Sequence, residues 1–182
     1  MLSYVLVLLA IALRVLSGTG YFSMMGFAPL SASLLFYGSH QPRKRMWIPL
    51  ALLMVSDVYI TVFKYHMSLP WDQALIWATY AGICILGYFL KGRIKPLNVG
   101  GAAVASALAF FLVSNFGVWM SGYVGYAHNL AGLITCYIAA IPFLERGLVS
   151  DLLFSAVFFS LPVLIAKTRE ASPAGAHKNT AV

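Results

Sequence analysis

Apolar residues fall in seven runs, at approximately 2–17, 24–38, 46–63, 71–90, 97–118, 128–144 and 149–166, separated by short stretches rich in Arg, Lys, Gly and Pro. At a rise of 1.5 Å per residue, a run of about 18 residues reaches roughly 27 Å, close to the hydrocarbon thickness of a bilayer. The pattern predicts an all-α chain, a polytopic transmembrane helical bundle. Residues 1–166 form one transmembrane domain, and the polar stretch 167–182, with Ser172, Pro173 and Gly175, is expected to be a disordered tail. No soluble domain fits between the runs, and no internal repeat is visible. The first run lacks a basic leading region and a small-x-small cleavage site, and its one charge, Arg14, comes late. It is expected to be a retained helix rather than a cleaved signal peptide.

Composition supports lipid as the solvent. The chain is 61% hydrophobic and 9% charged, against about 45–50% and about 25% for an ordinary globular domain. A soluble core of this size has too little interior to hide that surface. The net charge of +7 would suggest nucleic acid in a soluble protein. Here the cations sit between apolar runs, in Gln41-Pro42-Arg43-Lys44-Arg45 and in Lys91-Gly92-Arg93-Ile94-Lys95-Pro96, which is the positive-inside signature of cytoplasmic loops. Nucleic acid is excluded as a partner on that ground. Trp71 and Trp119 fall near the opposite interface and Trp47 near the cytoplasmic one. If 128–144 is re-entrant or shallow, nine basic residues lie inside and three outside (Arg14, Lys64 and Arg146). Seven full crossings would leave seven inside and five outside. The expected topology is therefore six crossings plus one partial segment, with seven crossings as the alternative. The glycine-rich stretch Gly117–Gly132 and the break at Pro142 suit an irregular segment buried in protein.

Asp57 carries the most chemical information. It lies well inside an apolar run, with Thr61 one turn on and Tyr65 one turn beyond. A carboxylate at mid-membrane costs about 2.5–3.5 kcal/mol on insertion scales, so it should face the bundle interior, paired or lining a wet cavity. A structural acid, a ligand-binding group and a catalytic acid or base all remain open for it. Arg14 is the opposite charge if the first and third helices are neighbours; otherwise it snorkels to a headgroup. Asp151, after Gly147 and Ser150, reads as a carboxylate in the first turn of the last helix, with Ser150 a candidate cap.

Two outer loops supply aromatic and polar groups: Lys64, Tyr65, His66, Met67 and Trp71 from one, and Asn115, Trp119, Tyr123, Tyr126, His128 and Asn129 from the other. They are either the roof of an outward-open cavity or an ordinary interfacial belt. The histidines lack metal-ligand spacing, and Cys84 and Cys136 read as buried thiols, so no resident metal or cofactor is expected. There is no phosphate-binding Walker loop, dinucleotide fingerprint, nucleophile elbow or metalloprotease motif, and the chain is not expected to be an enzyme. Gly101, Ala105 and Ala109 share a helix face, as do Ala28 and Ala32. Each set is either an internal seam or a partner-docking face.

Across residues 20–160 the chain resembles a family of small bacterial membrane proteins. The matching pieces are Pro29-x-x-Ala32-x-x-Leu35-Phe36-x-Gly38, Ser56-Asp57, Asn115-Phe116-Gly117-Val118-Trp119, Ala131-Gly132-Leu133, Cys136-Tyr137-x-Ala139-Ala140-x-Pro142-Phe143 and Asp151. That family in turn resembles the substrate-binding S components of energy-coupling-factor vitamin transporters, most closely the solitary cobalamin-transporting branch. The resemblance implies a bacterial cytoplasmic (inner) membrane, six helices, a vitamin cavity near the outer face and an energising membrane subunit with ATPases. Ala28 and Ala32 have the spacing of the docking pattern. The cobalamin branch would place a cysteine after the third-helix aspartate as a cobalt ligand. No cysteine lies between Asp57 and Cys84 here, which leaves His66 as the candidate cobalt ligand. The expected function is a membrane-embedded binding or transport protein for a small organic nutrient, with a corrinoid as one candidate. The alternatives are a non-catalytic scaffold subunit of a membrane complex and a small intramembrane enzyme.

Overall fold

The computed structural model describes residues 1–17 and 29–170. Among these the fold is helical throughout: α1 (Leu2–Ser17), α2 (Leu30–His40), α3 (Trp47–Val58), α4 (Gln73–Phe89), α5 (Pro96–Ser121) and α6 (Leu130–Glu170). A single 3-10 turn, Arg43–Arg45, links α2 to α3, and α3 runs on as a wider π-helical segment, Tyr59–Lys64. Ala28 and residues 171–182 lie outside the described residues, so the Ala28/Ala32 pair and most of the polar tail carry no structural account.

Among the described residues, three helical spans are long and apolar enough to cross a membrane: Arg43–Lys64, Pro96–Ser121 and Leu130–Thr168. Large apolar side chains such as Val55, Phe63, Phe89, Ile138 and Val163 point outward from several helices. A monomeric soluble protein rarely tolerates apolar surface on that scale, which marks the chain as a membrane protein.

The short α2 is the axis of the bundle. Nine of its eleven residues are buried, and it packs against α1, α4, α5 and α6. Its hydroxyls are satisfied locally, Ser33 donating to the Leu30 carbonyl and Ser39 to that of Phe36. Two glycines let α2 and α4 cross at backbone contact. A methyl on Gly38 would overlap the Cys84 carbonyl, and one on Gly87 would overlap that of Leu35. Gln41, just past α2, donates to Ser3, and His40 lies against Phe159. The start of α1, the end of α2, the basic turn after it and the C-terminal half of α6 therefore share one end of the bundle.

One expectation about the helices needs correction. The runs 128–144 and 149–166 are not separate segments; they fuse into one 41-residue helix. Glu145 and Arg146 interrupt the hydropathy, but both are good helix formers, Gly147 costs about 1 kcal/mol, and Pro142 removes only one backbone donor. Hydropathy reports the solvent, not the continuity of the backbone. The helix also runs past the expected domain edge to Glu170. Nothing from Lys167 to that point breaks a helix, and cations in a last turn complement its dipole.

On α5 the internal seam and the exposed small-residue face are different registers. Its packing face is Val99, Ala102, Ala103, Ser106 and Ala107, whereas Gly101, Ala105 and Ala109 are exposed. Small residues recur at helical spacing in two registers, and the tighter seam takes the other one. Ala105 and Ala109 instead face a shallow apolar groove shared with Ala78 and Gly82 of α4.

Candidate functional site

Asp57 lies at the end of α3 and is only 2% exposed. Its Oδ2 accepts hydrogen bonds from Gln73 Nε2 at 2.7 Å and Trp77 Nε1 at 2.8 Å. Gln73 and Trp77 stand four residues apart in the opening turns of α4, so one helix face presents both donors. Its Oδ1 lies 2.8 Å from Arg14 Nη1 on α1. That contact is an ion pair by distance rather than an aligned hydrogen bond, since neither atom has a hydrogen-bond partner. The cluster ties α1, α3 and α4 together, and the Arg14–Asp57 pairing expected from their opposite charges is present.

The backbone around the cluster is also held. Lys64, closing the π-helical segment, donates from Nζ to the Val15 carbonyl at 3.0 Å. A cation there satisfies an orphan carbonyl in the last turn of α1 and complements its dipole. Single wide turns of this kind recur at functional sites, and this one follows directly on Asp57. His66 adopts a left-handed backbone at φ 54° and ends the segment.

Arg14, unlike Asp57, borders a cavity of about 340 Å³. Polar groups on its wall come from Arg14, Ser31, Tyr80, Ser114, Asn115 and Asp151; the apolar wall includes Phe110, Phe111 and Phe143. Asn115 donates its side-chain amide to the Phe111 carbonyl at 2.8 Å, and Asp151 and Ser31 line the same cavity. Asp151 is 5% exposed. Because α6 is continuous, it lies in the middle of that helix, and the expectation of a first-turn carboxylate capped by Ser150 is corrected. At 1.5 Å per residue, Arg14 sits about 18 Å along α1 from Leu2, and Asp57 about 15 Å along α3 from Trp47. Asp151 is about 12 Å along α6 from Phe159, which touches His40. All three charges lie at a similar height above the basic end.

Of the side chains expected to bind ligand, Asn115 lines this cavity, and Asp57 stands behind Arg14, one residue removed from it. Thr61 is half-buried in the π-helical segment, outside the Asp57 cluster. Tyr65, His66, Trp71 and Tyr123 are exposed, and none of them borders the cavity. Trp119 donates from Nε1 to the Ala127 carbonyl at 2.9 Å and lies edge-on to His128. Asn129 caps α6 by accepting the Gly132 N–H at 2.9 Å. These contacts shape the α5–α6 turn, and Tyr126 lies half-buried in the same turn. The loops do not roof the cavity.

Gln73 and Trp77 escape a reading of single residues because Gln and Trp near a helix start look interfacial. Their spacing of four, facing a buried acid, is the signal that could have found them. Among the described residues no three His, Cys, Asp or Glu side chains gather as a metal site, and both thiols are buried and unpaired in a disulfide.

A family model described as a family of unknown function (DUF6580) matches residues 1–174, and the chain belongs to that family. No curated protein and no solved structure matches it.

Proposed function

We propose that this member of the DUF6580 family is a membrane-embedded binding protein for a small organic molecule, of the S-component type that passes its ligand across a bilayer with an energising partner. One observation carries the reading. Arg14 and Asp151 border a cavity of about 340 Å³, Asp57 is paired with Arg14 behind it, and the three, from three helices, lie at a similar height. That height, roughly 12–18 Å above the basic end, is the middle of a hydrocarbon core about 30 Å thick. Ionisable groups at that depth are costly, face the bundle interior and mark ligand or ion pathways. The cavity lies within the usual range for small-molecule sites, about 300–1,000 Å³. A corrinoid is several times larger, so the ligand proposed is a smaller nutrient.

In this reading the chain makes six crossings. The basic turn after α2, the loop before α5 and the C-terminal end of α6 lie inside, which puts nine of the twelve basic residues on that side. At about 61 Å, α6 is twice the hydrocarbon thickness. Its outer half is the partial segment, carried as an extension of the last crossing. Asp57 orients Arg14 rather than touching ligand. Binding is favoured over catalysis because, among the described residues, the cavity wall carries one carboxyl group, with no thiol or imidazole beside it.

Native mass spectrometry of the detergent-extracted chain tests the proposal. A retained small molecule, lost from an Arg14→Gln variant that elutes as the wild type does, is the expected result. A bare wild-type mass, together with no thermal response to a panel of small nutrients, overturns it. Stable co-purification with large membrane proteins alone would then favour a scaffold subunit.

A further inference from the structure

The cavity wall carries one guanidinium and one carboxyl group that do not pair with each other. The only carboxylate within 4 Å of Arg14 among the described residues is Asp57, behind it. Asp151, on the far helix, lines the cavity, as Ser31 of α2 does. Opposite charges brought into a low-dielectric interior attract strongly, and an unpaired one costs several kcal/mol. Among the described residues Asp151 has no such partner across the void, and Arg14, already paired with Asp57, shares that void without closing on it, so a gap is left between the two. Arg14 is restrained by Asp57, which is itself fixed by Gln73 and Trp77. The guanidinium has five N–H donors and offers one nitrogen to Asp57, so donors remain for the planar, bidentate contact that suits a carboxylate. Tyr80 lines the same void. Phe110, Phe111 and Phe143 supply the apolar wall, where aromatic side chains give large contact area.

We propose that the cavity takes a zwitterionic small molecule of the amino-acid class with an apolar body, its carboxylate on Arg14, its ammonium on Asp151 and its body among the three phenylalanines. The proposal rests on the binding reading above and adds the charge pattern of the ligand. An anion alone would leave Asp151 facing it, and a cation alone would face Arg14. Only a molecule with both charges answers both walls.

Three probes of one shape separate the cases: L-phenylalanine, 3-phenylpropanoate, which keeps only the acid, and phenethylamine, which keeps only the amine. Binding to the full-length chain in detergent is measured by calorimetry. L-Phenylalanine should bind at least about 30-fold more tightly than either single-charge probe, the scale of one desolvated charge pair. Arg14→Gln should abolish that advantage over phenethylamine, and Asp151→Asn the advantage over 3-phenylpropanoate. Each variant is checked for wild-type elution, and Asn115→Ala serves as a cavity variant that removes no charge. Equal or tighter binding of either single-charge probe to the wild type overturns the zwitterion. So does a molecule found by native mass spectrometry that lacks one of the two charges, although that result leaves the binding reading standing. No retained molecule and no response to any probe or nutrient brings down both.

Discussion

Asp57→Asn should destabilise the folded chain by about 3 kcal/mol, because it removes the charge that compensates Arg14. Asn keeps the size of the side chain and one carbonyl oxygen, so Gln73 and Trp77 retain an acceptor. What is lost is the counter-charge at 2.8 Å. Breaking a fully buried pair from one side costs about 3–5 kcal/mol. Asp57 is 2% exposed but the Arg14 side chain is 30% exposed, and its open side brings the expected cost to the lower end of that range. For a chain of this length, about 3 kcal/mol corresponds to roughly 6–12 °C in Tm. The assay is thermal unfolding of the detergent-extracted protein, followed by size-exclusion recovery or intrinsic fluorescence. Arg14→Gln and the double variant complete a cycle. Arg14→Gln alone strands the better-buried partner and should cost at least as much. The double variant should cost less than the sum of the two singles by about 1.5 kcal/mol or more. Asp57→Asn melting within about 2 °C of the wild type, or a strictly additive double variant, would show that the pair does not organise this part of the bundle.

Gly38→Ala and Gly87→Ala should each cost several kcal/mol or prevent recovery of folded protein, since the added methyl meets backbone of the facing helix. Gly82→Ala, with nothing within 4 Å of its new methyl, should be neutral or stabilising by up to about 1 kcal/mol, and size-exclusion recovery after heating checks all three. Trp77→Phe, which removes a donor 2.8 Å from the Asp57 carboxylate, should lower stability by about 1.5–3 kcal/mol; a melting curve unchanged from the wild type would refute it. For topology, Cys84 and Cys136 are both buried, so single cysteines can be introduced against a quiet background. Lys44→Cys and Lys91→Cys should label with an impermeant maleimide from one face of the membrane, and Met67→Cys and Tyr123→Cys from the other.

The helical class was legible because an apolar run of membrane length leaves few other backbone solutions. The ends of the runs were less so. Glu145, Arg146 and Gly147 break a hydrophobic pattern without breaking a helix, so one long element read as two, and Asp151 was displaced from mid-helix to a first turn. The packing face of α5 was illegible for a related reason. Gly101/Ala105/Ala109 and Ala103/Ala107 have the same spacing, and only the shape of the neighbouring helices decides between them. Aromatic loops pointed to the outer rim as a ligand roof, but exposed Trp and Tyr are equally what an interface selects. Their hydrogen bonds hold a turn.

The two buried acids separate structure from function more sharply than any loop does. Each is an expensive group that the interior must satisfy. At Asp57 the protein supplies the answer itself: an amide, an indole and a guanidinium from two other helices converge on one carboxylate. Asp151 is placed differently. As a mid-helix residue it cannot use the free N–H groups of a helix start, because the backbone donors around it are already spent on its own helix. It lines the cavity that Arg14 and Ser31 share. Partners on two other helices make Asp57 a brace, and a place on the cavity wall makes Asp151 a contact group. The sequence-level argument, that a buried acid is kept because something polar meets it, therefore applies to both residues. What the sequence did not carry is which of the two is met from within the protein and which is left for a ligand to meet.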